Sequence, residues 1–345
     1  MATDQQKAYA FKITGRKKRL SCQSGGAFTA IAGELMAQGW VIYGVVYEKP
    51  YAVYKRAEDM SCLNRMAGSK YVQAKIGDAF QLIAADLTNG INVLFSGTPC
   101  YVSAILNFCR VKKIDSRNLL TMEFLCHGVP SPELFRYYLE YTERQEKFLS
   151  THFVFRDKSA VGWGGYYSAF NLGKVRKATL SWLDIFNSDS YLRESCYHCR
   201  YTSYERNADL TVSDFWGIGL VNKSFGDLIG VSMILVNTTK GLNCTESCHL
   251  PGDLLSVPVS TIDQSPLNHP VKYQDDRVPI DWGNKTFEEN AELIMKHYYK
   301  KSINLFRGVP LTFNMKFWKE YLMFLVKGNI LLIKCKERIT KNGRK

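Results

Sequence analysis

From residue 26 to residue 147, segments with apolar residues at helical spacing alternate with short, nearly continuous apolar runs, and few architectures accommodate that rhythm. GAFTAIAGELMAQ (26–38) reads as a helix stopped by Gly39, and WVIYGVVY (40–47) as a buried strand. A second helix is expected over 76–88, after which Asn89-Gly90 turns the chain into the strand NVLF (92–95). LLTMEFL (119–125) is a further strand. A helix follows from about Pro132 to Lys147, with Ser131 as its N-cap and Pro132 as its first residue. Such alternation predicts a largely parallel sheet in the first half. After residue 150 the pattern shortens: THFVFRD, YYSAFNL, KATLSWL, DLTVSDF and VSMILVN all read as strands. The expected fold class is therefore α/β, a mostly parallel N-terminal sheet with helices, extended by a mixed or antiparallel C-terminal part. The expected division is 1–150, 151–310 and a basic tail at 311–345.

A chain of 345 residues, 46% hydrophobic and 22% charged, can bury a substantial core and has the composition of an ordinary globular protein. The N-terminal stretch MATDQQKAYAFK lacks the apolar segment of a secretory signal, which predicts a cytoplasmic location. In that reducing setting the ten cysteines point to metal or redox chemistry in preference to disulfides. The net charge of +13 is uneven: from Phe313 to Lys345 nine Lys/Arg face only Glu320 and Glu337, about half of the total. The remainder is mildly basic, which argues against nucleic-acid binding. The apolar run of the tail is short and broken by Lys327, so it does not span a bilayer. It suits either an interfacial amphipathic helix at the inner face of a membrane or a solvated helix packed on the domain.

Cys196-Tyr197-His198-Cys199 is a C-x-x-C pair, compatible with zinc, an iron–sulfur cluster or thiol redox chemistry. Cys100, in FSGTPC, follows one expected strand, and Cys126, in FLCHGVPSP, ends the next. Open α/β sheets place ligands at such strand ends, and the helices that follow present N-termini that favour an anionic centre. Four thiolates from Cys100, Cys126, Cys196 and Cys199 can enclose a 4Fe–4S cluster. Structural zinc, with His127 or His198 as substitutes, and plain buried thiols are the competing readings. The other six cysteines (22, 62, 109, 244, 248 and 335) read as bystanders.

Ser24-Gly25-Gly26 leaves amides free before a helix, either as a phosphate cradle or as a simple helix start. Gly68-Ser69-Lys70-Tyr71-Val72-Gln73 combines a flexible backbone, a cation and a ring, and surface loops show the same mixture. Arg156-Asp157-Lys158 and Gly162-Trp163-Gly164-Gly165-Tyr166 read as a lid or as an ordinary hairpin loop. Trp216, in Asp214-Phe215-Trp216-Gly217, is expected to pack near the thiols and limit water.

Taken in order, SGGAFTA, GSKYVQ, LFSGTPC, CHGVPSP, FRDK, SCYHCRY and LTVSDFWGI resemble the beta subunits of coenzyme F(420)-reducing hydrogenase and dehydrogenase, from about residue 8 to 240. The resemblance implies an FAD flavoprotein with a 4Fe–4S cluster, ligated by Cys100, Cys126, Cys196 and Cys199. It implies flavin contacts from Ser24, Gly25, Gly26, Ser69, Lys70 and Tyr71, with Thr98, Pro99, His127 and Gly128 nearby. His127 is the candidate catalytic residue, as a proton or hydrogen-bond donor to the flavin. Electrons would pass between a one-electron donor and a small-molecule hydride acceptor, coenzyme F(420) or another organic substrate. Many relatives carry a ferredoxin-like C-x-x-C-x-x-C module; none is seen here, which implies a separate ferredoxin or donor subunit. Relatives of this type also resemble genes beside polysaccharide loci, so a redox-modified or non-catalytic scaffold in a polysaccharide-biosynthesis complex is the alternative role.

Overall fold

The computed structural model describes residues 6–158, 162–163, 168–173, 175–179, 181–274, 278, 281 and 283–306. Two compact units divide the chain, residues 1–302 and 303–345, and the described part of the second is residues 303–306. The expected basic tail at 311–345 lies outside the described residues, as do positions 164–166 of the expected aromatic loop.

In chain order the elements are β1 (Lys7–Ile13), α1 (Arg16–Ser21), α2 (Ala27–Ala37), β2 (Val41–Glu48), β3 (Tyr51–Ala57), α3 (Met60–Met66), α4 (Ala79–Thr88) and β4 (Val93–Gly97). Next come α5 (Pro99–Lys112), β5 (Leu119–Phe124), α6 (Pro132–Glu146), β6 (His152–Val154), β7 (Ser168–Leu172), β8 (Val175–Thr179), α7 (Ser181–Asn187) and α8 (Glu194–Tyr197). The last are β9 (Leu210–Asp214), α9 (Ile218–Val221), β10 (Ser232–Val236), α10 (Thr239–Ser247), β11 (Gly252–Val257) and α11 (Phe287–Phe306). Among the described residues no helix is long and apolar enough to cross a membrane.

The expected α/β class holds. An eight-stranded sheet runs β11-β1-β10-β9-β5-β4-β2-β3, in which β2, β4, β5 and β9 are parallel neighbours and the outer pairings are antiparallel. Strands from both sides of residue 150 thus share one sheet. A second sheet, β6-β7-β8, is antiparallel.

Side chains alternate across the pleat, so each central strand feeds two cores. Tyr43, Tyr47, Val93 and Phe95 enter one core with α4, α5 and α6, while Ile42, Val46 and Leu94 enter the other with α2 and α3. Burial on both faces explains why β4 and β10 read as unbroken apolar runs. Ser131 caps α6 as expected, accepting a hydrogen bond from Leu134 N–H at 3.2 Å.

One expectation is corrected. KATLSWL does not continue as a strand: β8 ends at Thr179, and Ser181, Trp182 and Leu183 open α7. Trp182 is fully buried, its ring 4.7 Å from Phe135 in an aromatic core that the small sheet joins through Phe153 and Phe170. Burying such a ring contributes about 1.5–3 kcal/mol, more than the β preference of a short segment.

Candidate functional site

The strand directions put several loops on one edge. β4 and β5 are parallel, with Gly97 opposite Glu123, so the turns carrying Cys100 and Cys126 leave the sheet side by side. β9 runs parallel to β5 and ends at Asp214. β1 points the same way, being antiparallel to β10, which is itself antiparallel to β9. These ends surround a cavity of about 920 Å³, within the range of small-molecule and cofactor sites.

Thirteen of the fourteen site residues expected from sequence line this cavity: Ser24, Gly26, Ser69, Lys70, Tyr71, Thr98, Pro99, Cys100, Cys126, His127, Gly128, Cys196 and Cys199. Gly25 does not. It presses against the sheet, where a Cβ would meet the Phe11 carbonyl oxygen at 2.1 Å and the Ser232 nitrogen at 2.5 Å. That contact seats the start of α2. Ile13 N–H donates to the Gly25 carbonyl at 2.9 Å, and Ser24 Oγ donates to the Val231 carbonyl at 2.6 Å. Gly26, Ala27, Phe28 and Thr29 then turn the first turn of α2 towards the cavity.

Lys158 fastens the same loop from beneath. Its buried ammonium donates to the carbonyls of Ser24 at 2.7 Å, Arg19 at 2.9 Å and Ile229 at 3.0 Å. Burial lowers its pKa to about 8. Arg156 bonds Asp214 at 2.9 Å and the Trp163 carbonyl at 2.5 Å. Trp163 N–H in turn donates to the Leu228 carbonyl at 2.7 Å. The described part of the expected lid is thus anchored, not hinged. Trp216 differs from its expected packing: it is 45% exposed on the cavity rim, with its ring 4.3 Å from Trp163.

In the GSKYVQ segment, the Lys70 ammonium donates to the carbonyls of Met66 (2.8 Å), Gly68 (3.0 Å), Arg65 (3.1 Å) and Ala67 (3.3 Å) at the end of α3. Burial lowers it to about 7, while four carbonyls around three donors favour the charged form. Lys70 therefore fixes the loop that carries Ser69 and Tyr71 along the cavity wall.

The thiols are assembled by backbone pairing. Pro130 bridges to Leu192, and Arg193 N–H donates to the Val129 carbonyl at 2.8 Å, which zips the loop after Cys126 onto the segment before Cys196. Gly128, at φ 145°, permits it: a Cβ would stand 2.6 Å from Leu192 Cδ1 and 3.4 Å from Cys196 Cβ. Burial pushes the Cys126 thiol up strongly, with Cys100, Cys196 and Cys199 adding their charge and the Gly128 N–H opposing. Cys196 is likewise raised by burial, against a hydrogen bond from Val129 N–H. Thr98 Oγ1 lies 3.1 Å from Cys100 Sγ.

The four sulfurs are close enough to feel one another's charge. Among the described residues, however, no three His, Cys, Asp or Glu side chains are drawn together tightly enough to hold a single metal ion. Thiolates on one zinc stand about 3.8 Å apart, given bonds of about 2.3 Å in a tetrahedron. A cluster of several atoms uses thiolates set wider apart, each on its own iron. Four thiols lining one cavity at the strand ends are the donor type that such a group takes.

Sequence reasoning missed Asp189. Its Oδ1 lies 2.5 Å from His127 Nε2, and its backbone carbonyl accepts from Tyr197 Oη at 2.8 Å, tying His127 to the C-x-x-C turn. It also missed Arg206, whose buried guanidinium joins Glu123 of β5 to the Tyr201 and Ser203 carbonyls after Cys199. Neither residue stands in a motif that a pattern would flag.

Residues 91–260, which carry all four thiols, match the sequence model of a family described as the C terminus of the coenzyme F(420) hydrogenase/dehydrogenase beta subunit. That segment of the chain is similar to this family. A chain of the F(420)-reducing nickel–iron hydrogenase complex from Methanosarcina barkeri, solved in a xenon-derivatised form, is similar in fold. Its TM-score is 0.50 at 15% identity, covering 85% of this chain and 90% of that one. No curated protein matches the chain. The family is named for hydrogenases and dehydrogenases, so the match points to a redox role.

Proposed function

We propose that this chain is an FAD- and 4Fe–4S-dependent oxidoreductase that passes electrons between a one-electron donor, such as a ferredoxin-like subunit, and a hydride acceptor. The observation that carries the reading is convergence: four cysteines spread over a hundred residues, the first turn of α2 and the 69–71 loop all line one cavity. The F(420)-reducing complex to which the fold is similar supports coenzyme F(420) as one candidate acceptor.

On this reading Cys100, Cys126, Cys196 and Cys199 hold the cluster. Ser24, Gly26, Ser69, Tyr71, Thr98, Pro99 and Gly128 border the flavin, and Gly25 and Lys70 act by fixing their loops. A bound flavin would supply two-electron hydride chemistry, and a cluster beside it one-electron transfer. The chain's own groups do the rest. The first turn of α2 offers amides and a positive dipole end to phosphate oxygens. The Gly128 and Val129 N–H groups oppose the burial that raises the Cys126 and Cys196 thiols. His127, oriented by Asp189, is a side chain able to hold or move a proton at the cavity.

The test is the visible spectrum, flavin content and iron content of protein purified without oxygen, for wild type and Cys196→Ala. Flavin bands with a broad thiolate-to-iron shoulder, and iron lost in the variant while the fold persists by circular dichroism, support the reading. Colourless protein, or zinc in place of iron, overturns it.

A further inference from the structure

Away from the cavity, Cys244 and Cys248 stand on successive turns at the end of α10, with their sulfurs 3.9 Å apart. Sequence reading treats both as bystanders; the geometry does not. Cys248 N–H donates to the Cys244 carbonyl at 3.0 Å, which locks the pair in register. Four residues of helix rise about 6 Å, inside the Cα separation that a disulfide spans. The turn beyond Cys248 is held too: Leu250 N–H donates to the Cys248 carbonyl at 3.0 Å, and Thr14 N–H to the Pro251 carbonyl at 3.3 Å. Cys248 is 8% exposed and Cys244 is half-buried, so a small reagent reaches them and a large one is hindered.

We infer that Cys244 and Cys248 form an oxidisable dithiol, a modification site for small hydroperoxides that closes to an intramolecular disulfide. The chemistry balances. One thiolate of the pair attacks the peroxide, the O–O bond breaks, and that cysteine becomes a sulfenic acid as one water leaves. The second sulfur then attacks the first, the S–O bond breaks, and the hydroxyl departs with the second thiol's proton as a second water. Two thiols lose two electrons and two protons, and one hydrogen peroxide becomes two waters.

The hydrogen bond between the sulfurs stabilises whichever thiolate forms first, so either cysteine of the pair begins the attack. The other described cysteines with a shifted acidity (62, 109, 126 and 196) are all raised, each chiefly by burial.

The test treats the full protein with hydrogen peroxide, blocks free thiols with N-ethylmaleimide after unfolding, and maps the peptides by mass spectrometry. Cys244 and Cys248 are expected to leave the alkylated pool together, about tenfold faster than the buried Cys109. They should reappear linked to each other, with the link reversed by dithiothreitol. In Cys244→Ser the link cannot form, and dimedone should trap the sulfenic acid on Cys248. Recovery of both cysteines as maleimide adducts at a dose that oxidises the cavity thiols would overturn the inference. So would oxidation of Cys248 to sulfinic acid without linkage. The wild-type map decides even if the variant fails to fold, and damage at the four cavity cysteines yields different peptides.

Discussion

At residue scale, two glycines separate the building of the site from the building of the fold. Gly128 meets only side-chain atoms, Leu192 Cδ1 at 2.6 Å and Cys196 Cβ at 3.4 Å, in a backbone conformation that L side chains resist. Gly128→Ala is therefore expected to cost about 1–3 kcal/mol and to lower iron retention, as the loop after Cys126 separates from Cys196. Urea unfolding and iron analysis check both halves; unchanged iron would remove Gly128 from the thiol assembly. Gly25 meets backbone on both sides, which cannot yield as a side chain does. Gly25→Ala should cost about 3 kcal/mol or more, and denaturant midpoints below those of Gly128→Ala would establish the order. Sequence made the glycine turns and the C-x-x-C pair visible because their meaning is local. It did not distinguish Gly25, which faces the sheet, from Gly26, which faces the cavity. Nor did it reveal Asp189, which meets His127 across 62 positions with no motif around it.

At element scale, α4 is held to the edge of the sheet by one buried carboxylate. Asp86 accepts Nε and Nη2 of Arg56 at 2.8 and 3.0 Å and the Tyr43 hydroxyl at 2.7 Å, so one side chain joins α4, β2 and β3. Burial alone would lift this carboxyl. The Arg56 and Tyr43 hydrogen bonds outweigh it and hold it below the ordinary range. A depressed carboxylate adds stability above its unfolded pKa, about 3.9, and loses it as the pH falls through the lower folded value. Asp86→Asn is thus expected to cost about 1.5–3 kcal/mol at neutral pH, with the gap to wild type closing below about pH 4. Parallel urea titrations at several pH values check it, and a gap that is flat with pH would refute the charged role. The strands on either side show where sequence pattern fails. β3 (YAVYKRA) and β1 (KAYAFKI) carry cations within short alternating runs, and a reading based on apolar runs passes over them. α7 begins in a stretch rich in residues that also suit strands; its helical state follows from where Trp182 is buried, which no local window contains.

At the scale of the whole molecule, the cavity is a product of topology. Its walls come from the loops after β1, β4, β5 and β9, from the 68–74 segment and from residues 263–266, so no stretch of sequence encodes it. The motifs named its candidate residues, but its volume and the gathering of its thiols emerge only when strands far apart in the chain pair, such as β1 with β10. A site built this way couples ligand binding to global stability. FAD at about a hundred times its dissociation constant should add about 2.7 kcal/mol to protein stripped of flavin, raising the melting temperature by about 2–4 °C. Riboflavin fills the same space without phosphates, so it should shift the transition less if the first turn of α2 binds the pyrophosphate. Equal shifts would leave the ring site standing and remove α2 from phosphate binding. No shift with either, in protein that remains folded, would mean that the cavity is not a flavin site.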